Sequence, residues 1–453
     1  MSDYRLTTEV FSLPHDEGHL VYAPLLQTSV VVNDAARNVL ADIAADRTVP
    51  RDAATGAVLD LLERLDLITT GAGAASDPQA PVAVDGSATV EPTAVTLFLT
   101  TACNLRCAYC YASGGDDVRT LDPEVARDAV DLVVANVVKQ GDGNVRLSFH
   151  GGGEPTLAFD TLRRSVEHAR ARCDEHGLQL SVGTATNGVM DGDVLEYVAE
   201  TMTSVTVSLD GPPEVQDALR PRPGGGPSSD AVLRTLERLA RSDVSVSVRM
   251  TCTAEAMRHA PGTVADLAER FGVGTVHLEP LFVCGRSIGN GLRPPSPDEF
   301  VESFRACLDV GRRVGIKVAY SGARHESLTC SFCQASVPSF NVTTEGDVTA
   351  CYEVVGRDDA RAGTFIYGSH DPATRSFVFD PVRVARLRRL TVHSAPRCAR
   401  CFAKYHCAGD CAAKRLYPGA GAAVAARCEM NRRLTLDQLE EVFRCQTTSP
   451  APA

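Results

Sequence analysis

Cys103, Cys107 and Cys110 lie just past an apolar run, in Leu99-Thr100-Thr101-Ala102-Cys103-Asn104-Leu105-Arg106-Cys107-Ala108-Tyr109-Cys110. Three thiolates on one short loop can hold three irons of a cubane 4Fe–4S cluster, and the fourth iron then has no protein ligand and can bind a small molecule. A cluster with an open iron suits chemistry rather than electron storage. A zinc site would want a fourth Cys or His nearby, and none follows before His150. Further cysteines gather toward the C-terminus: Cys330, Cys333, Cys351, Cys398, Cys401, Cys407, Cys411 and Cys428. Metal or cluster ligation is again the natural reading. The other five, Cys173, Cys252, Cys284, Cys307 and Cys445, fall in helical or strand patterns and read as buried apolar filler.

Other polar residues stand where apolar runs end. Gly151-Gly152-Gly153-Glu154-Pro155 lets backbone approach a ligand closely and offers a carboxylate to an ammonium. Thr186-Asn187-Gly188 reads as a turn, and a further run ends Ser208-Leu209-Asp210-Gly211. Arg249 sits inside an apolar strand pattern, where a charge needs an anionic partner. His277-Leu278-Glu279-Pro280-Leu281 closes the series.

These residues need a scaffold, and the pattern supplies one. From Val95 to Val314, six apolar strand candidates alternate with six amphipathic helices, which implies a parallel sheet with helices outside. Six pairs fall short of a closed eightfold barrel, so the expected α/β fold is a partial (β/α)6 barrel with working residues on loops at the C-terminal ends of strands. Residues 1–70 read as a small α+β, winged-helix-like unit. It has two strands within Leu20–Val32, a helix over Ala35–Ala44 capped by Asn33 or Asp34, and a helix over Asp52–Leu65. Residues 71–94, rich in Ala, Gly, Pro and Ser, read as a linker. The barrel is expected over 95–315, a Cys-rich unit over 316–445 and a disordered tail over 446–453.

At 453 residues the chain exceeds one core. A net charge of −12 without a long basic run argues against nucleic acid or an anionic membrane surface as partner. No apolar run spans a bilayer and no signal pattern opens the chain, so a cytoplasmic protein is expected.

The spacing Cys103-x3-Cys107-x2-Cys110 resembles the signature of the radical S-adenosylmethionine (SAM) enzymes. The resemblance implies that SAM chelates the open iron and is split by one electron to a 5′-deoxyadenosyl radical, which takes a hydrogen atom from substrate. It implies that Gly152, Gly153 and Glu154 hold the SAM amino group, that Ser208 and Arg249 meet its carboxylate and ribose, and that Tyr109 and Leu281 contact adenine. Gly346-x4-Cys351, Cys398-x2-Cys401-x5-Cys407-x3-Cys411 and Cys428 resemble the SPASM extension. This implies two auxiliary clusters, three 4Fe–4S clusters in all. Cys398, Cys401, Cys407 and Cys428 would hold one. Cys351 and Cys411 would hold the other, completed by Cys330 and Cys333, or left open if one of that pair is free. Two structural zinc sites are the alternative.

SPASM proteins mostly modify peptides. Where sulfatase maturases place an Asp base after the Gly-x4-Cys cysteine, this chain has Tyr352 and then Glu353. A phenol is a poor base at neutral pH. Tyr352, Glu353 and Asp210 are the catalytic candidates. The N-terminal unit resembles a peptide-recognition element whose sheet edge accepts an extended leader. The resemblance thus implies a maturase that forms an intramolecular cross-link (a carbon–carbon cyclophane, ether or thioether) in a ribosomally made precursor peptide. An external one-electron donor such as flavodoxin or ferredoxin would serve it. The alternatives are a formylglycine-forming or other single-residue oxidase, and a non-catalytic cluster protein that binds peptide.

Overall fold

The computed structural model describes residues 4–70, 89–324, 327–337 and 339–448, with side chains as far as residue 443. Most of the expected linker, the last residues of the expected tail, and the side chain of Cys445 lie outside the described residues.

The N-terminal unit runs β1 (Tyr4–Leu6), β2 (Phe11–His15), β3 (Gly18–Ala23), β4 (Thr28–Val32), α1 (Asp34–Ala44), α2 (Gly56–Arg64) and β5 (Ile68–Thr70). It has five strands, not the two expected: β2-β3-β4 form one antiparallel sheet and β1 pairs antiparallel with β5. Of the additional strands, β2 contains Pro14, which an edge strand tolerates because its N–H side need not pair. Asn33 caps α1, its side chain accepting from Ala36 N at 3.0 Å. Val21, Ala23 and Val32 face Val39, Leu40, Leu59 and Leu62 of the two helices. Leu20 and Tyr22, on the opposite face, pack with Leu13, Val31, Phe402, Leu436 and Leu439. The sheet is therefore buried on both sides, by its own helices and by the Cys-rich unit.

The barrel follows as β6 (Ala94–Leu97), α3 (Pro123–Gln140), β7 (Asn144–Phe149), α4 (Phe159–His176), β8 (Gln179–Thr186), α5 (Gly192–Thr201), β9 (Ser204–Ser208), α6 (Pro213–Leu219), α7 (Ser229–Leu239), β10 (Ser245–Cys252), α8 (Ala254–Phe271), β11 (Thr275–Pro280) and α9 (Pro297–Val314). Strands β6 to β11 pair in sequence order, all parallel. A seventh parallel strand, β12 (Lys317–Ala319), adds beside β11. Side chains alternate across each strand. Leu97, Leu147, Phe149, Val205, Val207, Val248, Met250, Val276 and Leu278 are buried in the core cluster that also holds the helix residues Val130, Val166 and Leu236. The intervening positions, Ser148, Thr206, Ser208, Ser247, Arg249 and His277, turn to the inner face. That face is polar and built from small residues: Thr206 Oγ1 and Ser247 Oγ lie 2.9 Å apart. The outer face thus stabilises the fold and the inner face is left for chemistry.

The expected break at residue 315 is not a break in the sheet. β12 lies beyond it, and β13 (Asn341–Val342) pairs parallel to β6 at the other end. β14 (Asp347–Thr349), β15 (Ile366–Asp371), after the short α10 (Ala362–Phe365), and β16 (Ser376–Phe379) continue antiparallel. One eleven-stranded sheet therefore joins barrel and Cys-rich unit. α11 (Pro381–Arg388), α12 (Lys404–Cys407), α13 (Ala412–Arg415) and α14 (Gly421–Thr448) complete the chain.

Candidate active site

The three-cysteine loop leaves the C-terminal end of β6 and is held by arginines and bare backbone. Arg106 donates to the carbonyls of Cys103, Leu105 and Gly115 at 2.8, 3.0 and 2.9 Å. Arg286 donates to those of Cys107 and Gly114, each at 3.2 Å. Arg106 N and Ala108 N donate to Pro221 and Leu219 carbonyls, docking the loop beside the end of α6. A Cβ at Gly153 would stand 2.0 Å from the Ala102 carbonyl oxygen, and one at Gly114 would stand 2.8 Å from that of Gly152. Gly152 and Gly153 therefore press against the segment that leads into the cysteine loop. Cys110 Sγ accepts from Gly114 N at 3.4 Å and Cys103 Sγ from Asn187 Nδ2 at 3.7 Å. Burial, first of all, pushes the Cys107 thiol up to about 12. Buried thiols that receive N–H donors need a cationic group to be held as thiolates, and the irons of a cluster would supply one.

Glu154 is 1 % exposed. Oε1 accepts from the Thr156 and Thr186 hydroxyls, both at 2.8 Å, and Oε2 from Asn187 N at 2.7 Å. Burial raises its carboxyl, against those hydrogen bonds. The carboxylate thus ties the ends of β7 and β8 together rather than standing open to an ammonium, and Thr186-Asn187, read as a turn, is part of this scaffold.

Ser208 and Arg249 are register partners on β9 and β10. Arg249 is exposed, and among the described residues its side chain makes no hydrogen bond or ion pair, so the anionic partner expected from the sequence is not found among them. His150, next to the end of β7, titrates at about 4, lowered by burial first and then by Arg249. Burial and then Arg249 also lower His277. For Glu279, burial raises the carboxyl, but Arg249, Lys414 and Arg427 outweigh it and hold it low. Leu281 is buried just beyond β11.

Asp210 is fully buried and committed. It accepts from Arg220 Nε (2.8 Å) and Nη2 (3.1 Å), from Thr251 N (2.9 Å) and from the Tyr109 hydroxyl. Of the catalytic candidates it is the one whose carboxylate is wholly engaged by protein groups, and the Tyr109 ring it holds also lies 5.2 Å from the Arg220 guanidinium carbon. Tyr352 is 45 % exposed and lies against His150. Glu353 Oε2 accepts from Arg361 at 3.1 Å. Sequence reading missed His150, Arg220, Arg286 and Arg361. Only Arg106, inside the cysteine loop, carried a local signal.

The C-terminal cysteines fall into two sets. After burial, the Cys398 thiol is raised by Cys401 and Cys428, and that of Cys407 by Asp410, Cys428 and Cys398. The Cys351 thiol is raised by Cys411, Glu353 and Cys333. Cys330 packs instead with Val392, Ala395, Cys398 and Tyr405. Among the described residues no three His, Cys, Asp or Glu converge as about one metal ion. Thiolates are the donors that 4Fe–4S clusters take, four to a fully held cluster.

The radical SAM superfamily description matches residues 97–258. The sporulation killing factor maturation protein SkfB of Bacillus subtilis is 26 % identical over 291 residues, 60 % of this chain and 63 % of that protein. The mycofactocin maturase MftC of Mycobacterium tuberculosis is 29 % identical over 344 residues, 72 % of this chain and 80 % of that one. The chain spans 49 to 63 % of the length of the first curated relatives it matches. The solved structure of native anSMEcpe with bound AdoMet shares the fold, with a TM-score of 0.60 at 18 % identity over 78 % of this chain and all of that one. Residues 97–258 are therefore a radical SAM domain, and the cysteine-rich C-terminus fits the SPASM extension.

Proposed function

We propose that this protein is an enzyme that matures a ribosomally made precursor peptide by closing an intramolecular carbon–carbon, ether or thioether cross-link. The observation that carries the reading is the cysteine loop set over a polar barrel interior with Arg249 unpaired within it. Cys103, Cys107 and Cys110 would hold a 4Fe–4S cluster, and Gly152, Gly153, Ser208, Arg249, Tyr109 and Leu281 would hold SAM. When bound, these groups supply hydrogen-atom abstraction through one-electron cleavage of SAM.

The chain's own residues do the rest. Arg249 offers a cation to a carboxylate, and Ser208 beside it offers a hydroxyl. Asp210 and Arg220 fix the Tyr109 ring as one wall. Tyr352 and His150 present neighbouring ring faces to a substrate side chain, with His150 neutral at physiological pH. Closing one bond removes two hydrogens from the peptide, one as an atom and one as a proton, and leaves one electron over. Carrying that electron away is a task the two C-terminal cysteine sets fit. Support for a peptide substrate comes from the names of SkfB and MftC and from the N-terminal sheet packed against the Cys-rich unit.

A single-residue oxidation is the second reading. It is favoured by a cysteine-type anaerobic sulfatase-maturating enzyme of Clostridium perfringens, 24 % identical over 265 residues. Tyr352 in place of a carboxylate after Cys351 argues against it. Anaerobic co-expression with candidate short peptides from the genomic neighbourhood, followed by mass spectrometry, tests the proposal. Loss of two hydrogens with a new link between two residues is expected. Exchange of a cysteine sulfur for oxygen would favour the second reading, and no SAM-dependent change would overturn both.

A further inference from the structure

The Cys351–Cys411 site needs two more ligands, and the Cys330-x2-Cys333 pair does not act as one unit. Cys330 is buried, its carbonyl accepting from Val392 N at 2.8 Å. Thr329 N, one residue earlier, donates to the Tyr405 carbonyl at 3.0 Å. Both bonds fasten residues 329–330 to the segment bearing Cys398, Cys401 and Cys407, a set that already counts four thiols with Cys428. By Cys333 the chain has left this apolar cluster, and that residue is exposed.

On the other side stands a carboxylate. Val354 N donates to the Cys351 carbonyl at 3.2 Å, a turn that keeps Glu353 beside Cys351. Arg361 donates to Glu353 Oε2 at 3.1 Å, to the Glu353 carbonyl at 3.4 Å and to the Ala413 carbonyl at 3.2 Å. One guanidinium thus pins the carboxylate against the turn that follows Cys411. Oε1 accepts no hydrogen bond among the described residues.

We propose that Cys330 is not a cluster ligand and that the second C-terminal cluster is held by Cys333, Cys351, Cys411 and the carboxylate of Glu353. The assignment rests on the cluster reading above and replaces a base role for Glu353. Carboxylate oxygen is a competent iron ligand, harder than thiolate.

The full chain, reconstituted anaerobically, is assayed for iron and by electron paramagnetic resonance after dithionite reduction. Saturating SAM covers the cluster of the barrel, and cyanide is the probe for an open iron. Wild type is expected to hold about twelve irons, and Cys330→Ala and Cys330→Ser to keep them, while Cys333→Ala loses about four. Cyanide is expected to change one signal in Glu353→Ala and none in wild type. Loss of about four irons in folded Cys330 variants would overturn the assignment. So would a wild type that already responds to cyanide, or a Glu353→Ala variant that does not. If both Cys330 variants lose every cluster signal they have unfolded, and the Glu353→Ala arm decides. None of these readouts uses a peptide, so failure of peptide modification leaves them standing. A wild type holding only about four irons would remove the C-terminal clusters and this assignment together.

Discussion

Tyr352 lies against His150, their ring centroids 4.4 Å apart and their planes inclined by 32°. One residue follows the first cysteine of the C-terminal hairpin and the other follows the second barrel strand. The contact therefore carries an aromatic face of the Cys-rich unit to the interior of the barrel. Phe98 completes the group, 6.1 Å from Tyr352.

His150 makes stability depend on pH. Burial and then Arg249 lower it from 6.5 to about 4, so between those values the unfolded chain takes a proton that the folded chain refuses. The stabilisation is complete above pH 6.5 and is lost as pH falls toward 4, up to about 3 kcal/mol. In urea unfolding, wild type should lose about 2 kcal/mol more than His150→Gln between pH 7 and pH 5. Equal losses would mean that the imidazole is protonated in the fold.

Arg249 should govern SAM affinity. A hydrogen bond to a charged group contributes about 1.5–3 kcal/mol, so Arg249→Ala should weaken SAM binding to the reconstituted protein by roughly 10- to 150-fold. Arg249→Lys should recover part of that, since a point charge replaces a planar fork. Unchanged equilibrium binding would remove Arg249 from the SAM site.

Asp210→Asn distinguishes a positioning residue from a base. Breaking a buried pair leaves Arg220 uncompensated, at a cost of about 3–5 kcal/mol. The variant should unfold in less urea, and replacing Arg220 by Met as well should restore part of the stability. A base exposed to substrate would instead lose turnover with stability intact.

How legible this was in the sequence depended on range. Cys103, Cys107 and Cys110 share one loop, and the alternation of Val205 and Val207 with Thr206 is local, so the cluster loop and the parallel sheet could be read directly. Asp210 could not be read as Arg220's partner, because Asp-Gly after a strand looks the same whether the carboxylate faces ligand or protein. Glu154 looked available for the same reason, since the Thr186 and Asn187 donors that occupy it come from the next strand. β13 was hidden because two residues, Asn341 and Val342, carry no period. Only their register on Thr96 and Leu97 makes them part of the barrel's sheet.

Gly153→Ala tests the fit between loop and turn. Its Cβ would meet the Ala102 carbonyl at 2.0 Å, the Thr101 carbonyl carbon at 2.6 Å and the Ala102 carbonyl carbon at 2.7 Å. All three are backbone atoms of the segment leading into Cys103, and Glu154 N donates to that same Ala102 oxygen at 2.8 Å. The backbone must shift, and the cysteine loop with it. About four irons should be lost per chain while the C-terminal sets keep theirs. Full loading of the variant would show that the loop is not held by this contact.

The N-terminal sheet should matter to the peptide and not to the chemistry. Leu20 is fully buried against Leu436, Leu439 and Phe402, and the Tyr22 hydroxyl lies 2.6 Å from His406 Nε2. Both hold the sheet on the Cys-rich unit, and with it any leader peptide added at a sheet edge, at a fixed distance from the barrel mouth. Leu20→Ala leaves a cavity costing about 2–5 kcal/mol, and Tyr22→Phe removes a hydrogen bond worth about 1 kcal/mol. The double variant should loosen the docking without disturbing Cys103, Cys107 or Cys110. If the unit delivers the precursor, the damage falls on KM for the full-length peptide, with kcat and the KM for a peptide lacking its leader nearly unchanged. A fall in kcat with KM constant would mean that the unit supports the clusters rather than the substrate.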